Sequence, residues 1–215
     1  MGLFDKIFGG KKETNEIHRK THTNFQQQVD TFIGLGFTLN PGIKLSDIDR
    51  WKEGQKAFES KPYDLLYVTL GQIIEREPWT PLTNKCWNMD TEYIEDHGSY
   101  VDIMNNISRI TNGELVFKNL EDYVDIDEGI AWVSFTCNGD YYKWDLKVDD
   151  DWVDGTLFDK VQELTHKYST NGKFTYYDTG GQDFVLGYHS EGELNRIIEA
   201  TGLKIVWLKA KGQIY

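Results

Sequence analysis

The dipeptide Asn138-Gly139 constrains the fold more than any other feature, because it separates two runs of alternating apolar and polar residues. A two-residue hairpin turn needs positive φ at both positions, which asparagine and glycine tolerate best. With this turn as the loop, Val133 lies opposite Trp144 and both point toward the core. A slip of one residue would place these two side chains on opposite faces, so the pattern predicts one register.

The pattern on either side extends this hairpin into a larger antiparallel arrangement. A second turn at Asp127-Glu128-Gly129 leads back to an earlier apolar run, which gives a three-stranded meander within residues 114–148. Two further runs, 174–177 and 183–188, flank a glycine pair and predict a C-terminal hairpin. Apolar residues also recur at helical spacing in several segments. We predict an α+β fold, mainly antiparallel sheet, with helices packed on one face.

The N-terminal segment differs from the rest of the chain. Residues 1–24 are predicted to form a polar tail, in which Leu3, Phe4, Ile7 and Phe8 make a short amphipathic stripe. So short a stripe with few basic residues binds lipid weakly, so we do not expect membrane contact through residues 1–8. Asn24 can cap the first helix of a single α+β domain over residues 25–215.

Net charge restricts the classes of partner. The chain of 215 residues carries a net charge of −12, which disfavours a nucleic-acid backbone or an anionic membrane as the main partner. Only Cys86 and Cys137 are present, and the start of the sequence does not have the pattern of a secretory signal peptide, so we expect reduced thiols in a cytoplasmic protein. Neither cysteine lies in a nucleophile motif, and we expect no cofactor.

The acidic residues are concentrated in one stretch. Residues 121–160 contain twelve acidic and three basic side chains, which is −9 of the net −12. The face of the meander opposite Val133 and Trp144 combines aromatic rings with carboxylates, a combination that suits docking of a basic protein. The predicted partner-binding residues are Tyr123, Asp125, Asp127, Trp132, Tyr141, Asp145, Asp149, Asp150 and Asp151. In the alternative interpretation, helices or the N-terminal arm cover Trp132 and the acids are a solvated rim.

Two enzymatic alternatives use other arrangements of the same residue types. Asp125, Asp127 and Asp145 could share a face and bind Mg²⁺ or Ca²⁺ in a metal-dependent hydrolase, although no calcium-loop spacing accompanies them. The carboxylates of Glu92, Glu95 and Asp96 flank a loop near Trp79 and Trp87, as in many sugar-binding sites. The sequence does not specify the carboxylate separation that an acid–base pair requires.

Several short blocks carry a resemblance to known proteins. They are FTLNPG (37–42), WNMDTE (87–92), IED (94–96), VDDDWVD (148–154) and GGQD (180–183). Through them the chain resembles a family of small bacterial proteins without assigned chemistry. In size, acidity and α+β composition it is also similar to immunity proteins of bacterial contact-dependent and polymorphic toxin systems, which neutralise a toxin by binding it. The resemblance implies a non-enzymatic binding protein whose partner is a basic toxin domain; a scaffold role is the remaining alternative.

Overall fold

The computed structural model describes residues 23–48 and 54–208, and these form an α+β fold. The helices are α1 Phe25–Gly34, α2 Leu45–Ile48, α3 Gln55–Ser60, α4 Asp64–Leu70, α5 Ser99–Ile110, α6 Thr156–Lys167 and α7 Glu191–Thr201. The strands are β1 Ile73–Ile74, β2 Thr80–Pro81, β3 Cys86–Asp90, β4 Phe117–Asp125, β5 Ile130–Cys137, β6 Asp140–Leu146, β7 Lys173–Asp178, β8 Asp183–His189 and β9 Val206–Trp207. The predicted stripe at residues 3–8, and almost all of the predicted tail, lie outside the described residues.

The central meander has the predicted register. Strands β4, β5 and β6 form an antiparallel three-stranded sheet in that order, with Val133 paired with Trp144 and Ala131 paired with Leu146. Asn138 takes φ 49° and Gly139 φ 90°, the positive values that the turn requires. A β-bulge between Lys118 and Glu121 interrupts the pairing of β4 with β5.

A second sheet of four strands joins distant parts of the sequence. Its order is β3-β8-β7-β9, so the predicted C-terminal hairpin β7–β8 forms its centre and β3 pairs with the hairpin from far upstream. A small third sheet consists of β1 and β2. Antiparallel pairing throughout the described sheets is the α+β arrangement that the sequence predicts.

Apolar side chains alternate between the two faces of the four-stranded sheet and build two cores. Phe184 and Leu186 of β8 enter a cluster with α5, α6 and the inner face of the meander. Val185 of the same strand enters a second cluster with α1, α3, α4 and α7. Helices therefore cover both faces of this sheet, whereas the sequence predicted helices on one face only. The structure differs from this prediction because nearly every residue of β8 is buried, so both faces of the strand need a covering layer. The described helices include none long and apolar enough to cross a membrane.

Helix starts depend on capping groups, some local and some distant. Asn24 and Ser190 cap α1 and α7 with reciprocal side-chain and backbone hydrogen bonds, as predicted for Asn24. Helix α5 has no side-chain cap of its own at Gly98. Instead the Asp122 carboxylate, on the inner face of β4, accepts from the backbone N–H groups of Gly98, Tyr100 and Val101 at 2.7, 2.9 and 3.1 Å. This contact fixes α5 on the meander.

Candidate functional site

The outer face of the meander is the side opposite the core, and cross-strand pairing fixes which residues share it. Tyr123, Trp132 and Asp145 form one row across β4, β5 and β6. The neighbouring rows contain Asp125 with Ile130 on one side, and Glu121, Ser134 and Lys143 on the other. Period-two alternation, with Val133 and Trp144 turned inward, produces this arrangement.

An aromatic stack runs along the middle of the outer face. The rings of Tyr123 and Trp132 are nearly parallel, at 12°, with centroids 6.2 Å apart. His97, from the loop before α5, lies 4.7 Å from the Tyr123 ring, and the Lys143 Nζ lies 3.9 Å from the centroid of the Trp132 ring. A cation at this distance from an indole is attracted by the ring quadrupole. Trp132 is half-buried, and the ammonium group of Lys143 lies against its ring.

Apolar and acidic side chains on this face are open to solvent. Ile130 is 47% exposed and Tyr141, near the hairpin tip, is 69% exposed. Asp127 and Asp145 are exposed, and Asp125 is partly exposed. The Asp125 carboxylate is held in place, because it accepts hydrogen bonds from the Glu128 N–H at 2.9 Å and the Tyr123 hydroxyl at 3.4 Å. An exposed apolar group beside carboxylates, one of them held in place by hydrogen bonds, suits a protein interface.

The acidic run 149–151 follows the end of β6 and continues the charge past the sheet. Asp149 pairs with Lys147, whose Nζ lies 2.6 Å from Oδ2, and this contact raises the pKa of Lys147. The Asp151 carbonyl accepts from the Ile94 N–H at 2.9 Å, which ties the run to the loop before α5. Trp152 is 41% exposed beside these carboxylates, and sequence analysis missed it. Its position after three aspartates was the available signal.

Other acids of the 121–160 stretch have structural roles. Asp122 caps α5, as described above, and Asp154 accepts from the Lys147 and Thr156 N–H groups. Asp140 binds Lys167 at 2.7 Å and the Tyr168 hydroxyl at 2.9 Å, and the hydrogen bond from Lys167 is the main cause of its lowered pKa. The local concentration of charge in the sequence therefore overstates the number of carboxylates free to meet a partner.

The metal alternative has no geometric support, and neither cysteine is an activated nucleophile. Asp125, Asp127 and Asp145 lie in different rows or turns, and across residues 23–48 and 54–208 no group of three or more His, Cys, Asp or Glu residues could hold a metal ion. Cys86 and Cys137 are free and buried. Burial raises the pKa of Cys86 to about 12 and also raises that of Cys137, so neither forms a thiolate nucleophile near neutral pH.

The loop near Trp79 and Trp87 does form a cleft, but with different carboxylates from those predicted. The cleft has a volume of about 530 Å³. Glu75 and Asp90 line it, whereas Glu92, Glu95 and Asp96 are not among its lining residues. The lining residues are Gln72, Ile73, Glu75, Trp79, Trp87, Asn88, Asp90 and Tyr93. Pairing of β1 with β2 brings Glu75 beside β3, a contact with no local signal in the sequence.

Comparison of the chain with protein-family models, with curated proteins and with solved structures finds no significant match. The residues themselves are therefore the basis for inferring what the protein does.

Proposed function

We propose that the protein is an acidic, non-enzymatic binding protein whose outer face docks a basic protein. We further propose that this partner is a toxin domain and that binding neutralises it. The observation that carries the proposal is the row Tyr123, Trp132 and Asp145, in which stacked rings lie beside an exposed carboxylate on an open sheet face. Aromatic residues are typical anchors of interfaces, and carboxylates steer a basic partner toward them. The net charge of −12 acts in the same direction at longer range.

Lys143 affects which partners can bind. Its Nζ lies over the Trp132 ring, where an arriving cation would otherwise sit. A partner arginine that stacks on the indole must displace this lysine, and arginine does so better than lysine because its guanidinium is planar and weakly hydrated. The outer face is therefore suited to arginine-rich surfaces.

Capture followed by titration tests the proposal. The protein is cross-linked in its native cells, the captured partner is identified by mass spectrometry, and the purified pair is titrated by calorimetry at low and high salt. We expect Trp132→Ala and Asp145→Lys each to weaken binding by at least about tenfold, and added salt to slow association. Lys143→Met should strengthen binding, because it frees the indole and removes a like charge.

Glu199→Lys is the matched control, because it makes the same charge change at an exposed position of α7, away from the meander. If Asp145→Lys and Glu199→Lys weaken binding equally, total charge rather than the outer face governs the interaction. If Trp132→Ala and Asp145→Lys leave affinity unchanged, the outer face is the wrong surface. Growth of cells that express the partner, with and without this protein, tests neutralisation: equal growth would refute the toxin assignment.

A further inference from the structure

The cleft between the β1–β2 hairpin and strand β3 combines three aromatic side chains with two carboxylates. Trp79 is 62% exposed at its rim, Trp87 is buried at its base, and Tyr93 is half-buried beside them. Glu75 and Asp90 are exposed carboxylates of the same lining. A volume of about 530 Å³ is within the range of small-molecule and side-chain pockets.

Within the described residues, no positive charge compensates the negative charge in the cleft. The described residues that line it include no lysine, arginine or histidine. Among the described residues, neither Glu75 nor Asp90 forms a salt bridge, and the nearby Arg76 is bound to Asp47 at 2.7 Å instead. Burial raises the pKa of Tyr93, and the charges of Asp102 and Glu95 add to the rise, so two further carboxylates lie near this ring.

Polar groups are also available for hydrogen bonds. The Asn88 Nδ2 donates to Asp183 Oδ2 at 2.6 Å, which orients the amide and leaves its Oδ1 as an acceptor. Within the part of the chain that the structure describes, the side chains of Gln72 and Glu75 make no hydrogen bond. Aromatic faces, carboxylates and amide oxygens therefore line one cavity, and no cationic side chain of residues 23–48 or 54–208 forms a salt bridge with its carboxylates.

We propose that this cleft binds a guanidinium group, as presented by an arginine side chain. A guanidinium stacks on indole rings and donates paired hydrogen bonds to carboxylates, so it can interact with both the aromatic and the acidic side chains of the cleft. A lysine ammonium is more strongly hydrated and cannot stack, so it should bind less well. The proposal does not depend on the docking of a basic protein at the outer face, because the cleft residues and the outer-face residues are different.

The test uses small molecules that differ only at the head group. Nα-acetyl-arginine methylamide is titrated into the full chain, and the tryptophan indole N–H resonances are followed by NMR; Trp79→Phe assigns the signal of Trp79. The citrulline analogue is a neutral isostere, and the lysine analogue keeps the charge without the planar group. We expect the arginine compound to shift the Trp79 resonance with a dissociation constant of about 1 mM and to bind at least about tenfold tighter than the citrulline compound.

Variants decide whether the cleft is the binding site. Trp79→Ala and Glu75→Gln should each weaken binding by about fivefold to tenfold. Glu77→Gln is the matched control, because Glu77 is exposed in the same loop but is not a lining residue, and it should bind like the unmodified chain. Equal affinity for arginine and citrulline compounds, or unchanged affinity in Trp79→Ala, would overturn the proposal.

A last comparison identifies the source of the guanidinium. Free arginine carries charged amino and carboxylate groups that the capped compound lacks. Tighter binding of free arginine would assign the site to the amino acid, whereas equal or tighter binding of the capped form would assign it to an arginine within a polypeptide. Either result supports a guanidinium site.

Discussion

Replacing His189 with phenylalanine should make the protein lose about 2 kcal/mol less stability between pH 7 and pH 5. His189 ends β8 and is 1% exposed, with its ring 6.1 Å from that of Phe37. Neither ring nitrogen has a hydrogen-bond partner among the described residues. Burial lowers the pKa of His189 to about 4, opposed by Glu193 and reinforced by Lys85.

The size and sign of the effect follow from linkage. The folded protein keeps His189 neutral down to a pKa of about 4, whereas in the unfolded chain the imidazole takes up its proton near the usual value of 6.5. The stability that neutral His189 contributes is fully present above the pKa of the unfolded chain. It is lost as the pH falls toward the pKa of the folded protein. At pH 5, protonation of this imidazole lowers the free energy of the unfolded state relative to the folded state by about 2 kcal/mol, from the 1.36 kcal/mol that each pKa unit represents.

Urea unfolding of both proteins at pH 7 and pH 5 measures the effect. The loss in free energy of unfolding between the two pH values should be smaller in His189→Phe by about 2 kcal/mol. His189→Gln, which is polar but does not titrate, should show the same reduced loss in free energy of unfolding. This second variant keeps the test valid if phenylalanine does not fit the site. An equal loss in all three proteins would refute the assignment of the pH dependence to His189.

The remaining predictions concern backbone contacts. Gly71→Ala should destabilise the protein by about 2 kcal/mol, because its new Cβ would overlap the backbone nitrogen of Asn88. Gly192→Ala in α7 has no atom within 4 Å of the new Cβ outside its chain neighbours and its own helix backbone, and it should instead stabilise the protein by about 0.5 kcal/mol. Equal urea midpoints for the two variants would contradict at least one of these predictions. Asp122→Ala should cost about 2 kcal/mol and speed amide hydrogen exchange in the first turn of α5; unchanged exchange there would show that the carboxylate does not cap the helix.

Local sequence signals predicted local structure well. The Asn138-Gly139 turn and period-two alternation specified the meander register, because both act within a few residues. The pairing of β3 with β8 had no such signal, since about a hundred residues separate the two strands and nothing in either segment identifies its partner. The bulge after Lys118 was also missed, although Asn119, which takes φ 51° there, is a residue type that tolerates positive φ.

For the outer face, the sequence predicted which residues lie together but not where long side chains are placed. Alternation placed Tyr123, Trp132 and Asp145 together, because cross-strand neighbours follow from the register. The position of Lys143 over the indole was not predictable, because a long side chain has many rotamers. The carboxylates of the cleft were assigned to the wrong residues for a different reason: sequence proximity to Trp87 favoured Glu92, whereas the fold brings Glu75 there from the β1–β2 hairpin.

Strand β8 belongs to both cores, and this has a consequence for how the protein can vary. Phe184 and Leu186 enter one cluster while Val185 enters the other, so a single strand is the common wall of two hydrophobic layers. A change of side-chain volume on one side moves a backbone that the opposite side also packs against. The substitutions that one cluster tolerates are therefore limited by the packing of the other cluster, on the opposite side of β8.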